Sequence, residues 1–234
     1  MFHRSTSLGA SAIALIAWAS PAAGSLLAQW SVSGLTGVTG ISSLDASLQA
    51  TPITAGAGLA ELEGDEWVAA SHWAGPSNLS GALFARHSFS FTLDVQEGSS
   101  IRIDQIEFAV WRDAEGPGGG YGSELAGTGE KFALALTDDD NVRNVLFAGV
   151  KKAGTSTHLA SGPDMELTGR LRFDVAAWGA FSNFGRFALV PIGSSDVAVR
   201  IFGEVVGAEV PTPGTTALAV LALGFCTRRV SRSR

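Results

Sequence analysis

The acidic run at 137–141, Thr-Asp-Asp-Asp-Asn, has the clearest chemistry of any segment in the chain. Ca2+ takes several hard oxygen ligands, and Asp138, Asp140 and Asn141 offer three from one loop. The Asp-x-Asp-x-Asp-Gly spacing of a helix-loop-helix calcium site is absent, and a solvated hairpin turn uses the same residues more simply. A second set is aromatic. Trp111 ends a strand-like run and Tyr121 sits in a Gly-rich loop just beyond it, so together they form a candidate platform for a sugar ring. Trp67, Trp73 and Trp178 are alternatives, and filling a core is the competing use of any tryptophan. Glycoside hydrolysis needs two carboxylates facing each other roughly 5 to 10 Å apart. Asp104 and Glu107 are close in sequence, but their relative facing is undetermined; Glu61, Glu63, Asp65 and Glu66 read as an exposed cluster. His72, His87 and His158 are scattered, without His-x-His, His-Glu-x-x-His or a Gly-x-Ser-x-Gly nucleophile. No catalytic set follows from these residues, and Ca2+ is the one cofactor option that they leave.

The elements that must position these groups are strands. Residues 87–95 place Phe89, Phe91, Leu93 and Val95 on one face and Ser88, Ser90, Thr92 and Asp94 on the other. The run 101–111 puts Ile101 and Ile103 inward, then Ile106, Phe108 and Val110, a shift of phase that predicts a β-bulge near Asp104 and Gln105. Segments 131–137, 142–150, 167–175, 185–190 and 197–206 repeat the pattern between Gly, Asp, Asn or Ser turns. In one of them Leu171, Phe173 and Val175 alternate with Arg170, Arg172 and Asp174. Residues 34–62 and the loop 113–124 are looser. No amphipathic helix is evident between the two ends. Two sheets burying their apolar faces against each other, an all-β antiparallel sandwich of jelly-roll type, is the fold this predicts.

The ends are of another kind. Met-Phe-His-Arg, an apolar stretch from Leu8 to Ala19 and small residues at 20–24 read as a secretory signal occupying 1–28, with cleavage between Ala22 and Ala28. The sandwich then spans 29–207, a Pro-x-Pro linker 208–214, and an apolar anchor helix with a basic tail 215–234. The uncharged stretch 215–226 would rise about 18 Å as a helix against a hydrocarbon core of roughly 30 Å, which suits a transient anchor more than a permanent span. Four arginines, Arg228, Arg229, Arg232 and Arg234, would hold the end on the cytoplasmic side. Residues 25–213 carry 11 basic against 22 acidic side chains, a net charge of −11 that argues against nucleic-acid binding. The single cysteine, Cys226, lies in the apolar tail, so no intrachain disulfide supports the fold and burial must.

Val210, Pro211, Thr212 and Pro213, the apolar run 218–225 and Arg228 and Arg229 resemble the PEP-CTERM sorting signal of bacterial exported proteins, with Thr212 where that pattern has Glu. The strand, Gly-turn, strand and Gly-Pro loop at 89–117, with 167–173 and 199–206, are similar to the β-sandwich that often precedes the signal. The resemblance implies export machinery and a signal peptidase, an exosortase-type membrane protease, a membrane held through the C-terminal segment before processing, and delivery to the cell surface or an extracellular matrix. The expected role is a structural or adhesion protein of the envelope associated with polysaccharide. The alternative is a glycan-active enzyme or a carbohydrate-binding module on a jelly-roll scaffold.

Overall fold

A computed structural model of the chain describes residues 24–32, 39–61, 68–71, 75–112, 131–150, 154–179 and 186–207. Two antiparallel sheets pack face to face as a jelly-roll sandwich. Sheet A has eight strands. Its centre is β8 (Ser100–Arg112), flanked on one side by β14 (Val197–Val206) and β13 (Phe187–Leu189), and on the other by β11 (Gly154–Ser161). Beyond β14 lie β1 (Ser25–Val32) and β2 (Thr39–Leu44); beyond β13 lie β6 (Val68–Ser71) and β5 (Ala60–Glu61). Sheet B has six strands. β10 (Arg143–Val150), β9 (Lys131–Thr137), β12 (Arg170–Trp178) and β7 (Ser88–Val95) run in that spatial order, and β3 (Leu48–Ala50) and β4 (Thr54–Ala55) share the far side of β7.

Alternation in each strand sends one side-chain set into the space between the sheets. Phe89, Phe91, Leu93 and Val95 of β7 and Leu171, Phe173, Val175 and Ala177 of β12 are buried from one side. Ile101, Ile103, Ile106, Phe108 and Val110 of β8 are buried from the other. Trp30 of β1 meets Phe91 at a centroid distance of 4.6 Å, and Phe91 stacks on Phe173 at 5.1 Å. Trp30 is fully buried, and its indole N–H donates to the Thr51 carbonyl at 2.8 Å, which satisfies its one polar atom.

The bulge expected near Asp104 is present. Phe202 of β14 pairs with Gln105 while Gly203 pairs with Ile103, so Asp104 is the extra residue. A side chain on Gly203 would run into the Arg102 carbonyl and approach Leu27 Cδ1 at 3.0 Å. Gly203→Ala is therefore expected to cost about 2 kcal/mol or more and to lower Tm by several degrees in thermal unfolding followed by circular dichroism.

Three expectations are corrected here. The helix content lies elsewhere: the described residues contain one helix, α1 (Leu79–Phe84), set by Asn78, whose side-chain Oδ1 accepts from Gly81 N at 2.8 Å. Among the described residues no apolar helix flanks the sandwich, and none of their helices is long and apolar enough to cross a membrane. Residues 25–28, which the sequence joins to a leader helix, instead open β1, with Leu27 and Ala28 fully buried and Ser25 Oγ donating to Gly203 O at 2.9 Å. β12 starts at Arg170 rather than 167, because Gly169 turns there at φ 65° and Leu167 bridges to Ile101 on its own. The Pro-x-Pro motif at 210–213, the apolar stretch 215–226 and the terminal arginines lie outside the described residues.

Candidate functional site

The outer face of sheet B carries polar and charged side chains on regular structure. Strands β7 and β12 pair so that Arg170 lies opposite Asp94, Arg172 opposite Thr92, Asp174 opposite Ser90 and Ala176 opposite Ser88. All eight are the residues that alternation turns away from the core. The serines, threonines and alanines are short, so the two arginines can lie along the face instead of standing off it.

Asp174 organises the face. It is 3% exposed, and its Oδ1 accepts from Ser90 Oγ at 2.6 Å, Ser88 Oγ at 2.9 Å and Arg172 Nη2 at 2.9 Å. Arg172 Nη2 also donates to Ser90 Oγ at 3.2 Å. One buried carboxylate thus holds a guanidinium in a fixed plane through charge-assisted bonds, while half of the Arg172 side chain stays exposed to solvent. Two residues along, Arg170 Nε donates to Asp94 Oδ1 at 2.7 Å. That hydrogen bond, then the charge of Asp94, raises the Arg170 pKa further above its ordinary value. Thr51 closes the far side: its Oγ1 accepts from Thr92 N at 2.9 Å and bonds Thr92 Oγ1 at 3.2 Å.

The face has a wall as well as a floor. The Pro76 carbonyl accepts from Gly179 N at 3.0 Å just beyond β12, α1 packs against β12, and Gly56 N donates to Ser88 O at 2.8 Å beside β4. At this end Ser88, Asp174 and Ala176 are buried, whereas Arg172 and Arg170 further along the strand are exposed. Chemically the open part offers guanidinium donors beside carboxylate and hydroxyl acceptors on a flat, rigid support. Arg170 and Arg172 stand against Asp94, Asp174 and, beside Arg170, Asp139, so the face has no excess of positive charge, which suits neutral hydroxyl groups better than anions.

The residues that the sequence singles out are placed elsewhere. Trp111 is half-buried on the outer face of sheet A, against Ala109, Ala188, Val190 and Ile192 and away from the Asp174 network. Tyr121 lies outside the described residues. Asp138, Asp140 and Asn141 form the β9–β10 hairpin turn. Asp138 Oδ1 accepts from Val142 N at 2.8 Å, Asn141 takes φ 61°, and the neighbouring Asp139 spends Oδ2 on Arg170 N at 2.8 Å. Among the described residues no group of three or more His, Cys, Asp or Glu is gathered to hold an ion. Glu107 bonds Arg200 across the strands of sheet A at 3.0 Å, and Asp104 sits on the bulge. His158 packs between Phe108, Phe132 and Phe147, with Nε2 2.6 Å from Ser156 Oγ.

No family model matches the chain, and no curated protein matches it. Among solved structures it is similar to a mutant family 29 carbohydrate-binding module in complex with cellulohexaose, at 12% identity and TM-score 0.38 over 78% of this chain and 93% of that one. Another family 29 module gives 11% and 0.38 over 76% and 89%, and one from Piromyces equi gives 12% and 0.37 over 75% and 91%. Likeness at this level assigns neither a ligand nor a residue role. The expected kinship with PEP-CTERM proteins is corrected: no family model matches the chain, and the solved structures named above are carbohydrate-binding modules. The exosortase-type protease, the export machinery with its signal peptidase and the membrane drop out with it as partners.

Proposed function

We propose that this β-sandwich is a glycan-binding module that takes a neutral polysaccharide on the outer face of sheet B. The observation that carries the reading is Arg172, half exposed yet held in plane by the buried Asp174 and Ser90. A sugar diol needs a donor and an acceptor side by side. Arg172 supplies donors, and Ser90, Thr92 and Asp94 supply acceptors along the same two strands. Because the support is preorganised, little conformational entropy is lost when the ligand settles. The surface does not need a net charge for this, and its balance of arginine and aspartate disfavours a purely electrostatic polyanion site. An exported or cell-surface position is the setting in which such a module meets its ligand, and adhesion follows from holding polysaccharide.

The test is affinity electrophoresis and calorimetric titration with a β-glucan, a mannan and a polyuronate. Wild-type protein is expected to bind a neutral polymer with weak salt dependence. Arg172→Ala is expected to reduce that affinity by roughly tenfold to a hundredfold, the worth of one charged hydrogen-bonding group. Binding restricted to the polyuronate and abolished by salt, or unchanged affinity in Arg172→Ala, would refute the assignment.

A further inference from the structure

An edge strand presents the N–H and C=O of every second residue to whatever comes beside it, and proteins blunt such edges by shortening, bulging or charging them. Among the described strands the other edges are blunted in this way. β3, β4 and β5 are three, two and two residues long. β10 begins with Arg143 and carries an extra residue, Leu146, where its register with β9 shifts between Val145 and Phe147. β2 likewise carries an extra residue, Ser42, where its register with β1 shifts. β11 has none of these devices. Gly154–Ser161 runs for eight residues in unbroken register with β8, contains no Pro, Asp, Glu, Lys or Arg, and pairs with no other described strand.

We propose that β11 is an interaction edge at which a second copy of this chain pairs antiparallel about a two-fold axis, so that the two A sheets run on into one. The strand is already fixed on its inward side, where Ala160 is buried and the His158 ring lies 5.0 Å from Phe132 and 4.9 Å from Phe147. Its outward residues, Thr155, Thr157, Leu159 and Ser161, are exposed, and Leu159 leaves 59% of its surface open. Threonines and a leucine on a strand gain from a neighbour directly across from them. The charges at the two ends of β11 select the partner. Lys151 and Lys152 precede it in sequence, and Lys131 lies opposite Val150 at the end of β10 that leads to it. Asp164 and Glu166 follow it. A two-fold axis across β11 sets the basic end of each copy against the acidic end of the other, so the edge is complementary to itself. The proposal stands apart from the glycan reading, since β11 belongs to the opposite sheet.

Sedimentation velocity of the full chain in reducing buffer, over a range of micromolar concentrations, is expected to show a monomer–dimer equilibrium that weakens as salt screens the paired ends. Thr157→Lys combined with Leu159→Lys is expected to raise the dimer Kd by about tenfold or more, because like charges then meet across the edge, with Tm unchanged. Val145→Lys, on the bulged edge of the other sheet, is expected to leave the equilibrium as it is. Amide exchange of the wild-type chain needs no variant to fold, and it should show protection at 154–161 that grows with concentration. A chain that is monomeric at every concentration, a dimer that the Thr157 and Leu159 changes leave intact, or one whose protection lies outside 154–161 would overturn the proposal.

Discussion

Asp174→Ala is expected to destabilise the domain by about 2–4 kcal/mol and to abolish measurable glycan binding. Its carboxylate accepts three bonds through one oxygen, from two serines and an arginine, and it is itself buried. Removal strands donors that have no route to water on one side: Ser88 is fully buried, and its remaining partner is Ser90 Oγ at 3.2 Å. An orphaned buried donor costs about 1–3 kcal/mol, and the Arg172 guanidinium loses the group that fixes its plane. For a domain of this size the Tm should fall by roughly 5–15 °C. Asp174→Asn keeps an acceptor but not the charge, so it should fall between the two proteins. Chemical denaturation checks the stability and titration checks the binding. A loss below about 0.5 kcal/mol would mean that the network is a surface ornament and not the organiser of the face.

Phe91→Ala has the larger expected effect on stability, about 3–5 kcal/mol. Phe91 lies on sheet B, yet its ring contacts Trp30 of sheet A at 4.6 Å and Phe173 of its neighbouring strand at 5.1 Å. It therefore joins the sheets and the strands at one point. Its removal opens a cavity that rigid partners on two sides cannot fill, and the chain has no disulfide to limit the damage. Tm should fall on the order of 10 °C or more, with the denaturant m value unchanged. The exposed Arg170–Asp94 pair makes the contrast. Although its contact is only 2.7 Å, solvent screens an exposed pair of this kind, and it adds little to stability.

The long alternating strands were legible from residue order alone. β7 and β14 match their expected bounds within a residue, and the phase shift in β8 located its bulge, because burial on one face imposes a strict period of two. β11 was not legible. Gly-Thr-Ser-Thr-His-Leu-Ala-Ser places polar residues on both faces, and it becomes a strand through pairing with β8 along its whole length. β1 was hidden for the opposite reason, since Leu27, Ala28 and Trp30 continue the apolar composition of the stretch before them. α1 is six residues long and shows no period; its sign is the Asn78 cap.

The candidate face was half visible. The alternation Arg170, Arg172, Asp174 can be read directly, but the partners Ser88, Ser90 and Asp94 lie 76 to 86 residues away and come alongside only through the β7–β12 pairing. A search for strands whose outward residues include both signs of charge would have found it. Of the aromatic residues singled out, Trp111 is turned to the other sheet, whereas Trp178 ends β12 itself.

Hydrogen–deuterium exchange with and without a bound neutral oligosaccharide addresses the central claim most directly, since it reports which face the ligand covers. Added protection concentrated in β7 and β12, across 88–95 and 170–178, is the predicted footprint. Protection centred instead on Trp111 and Val190 in sheet A, or none at saturating ligand, would contradict the account.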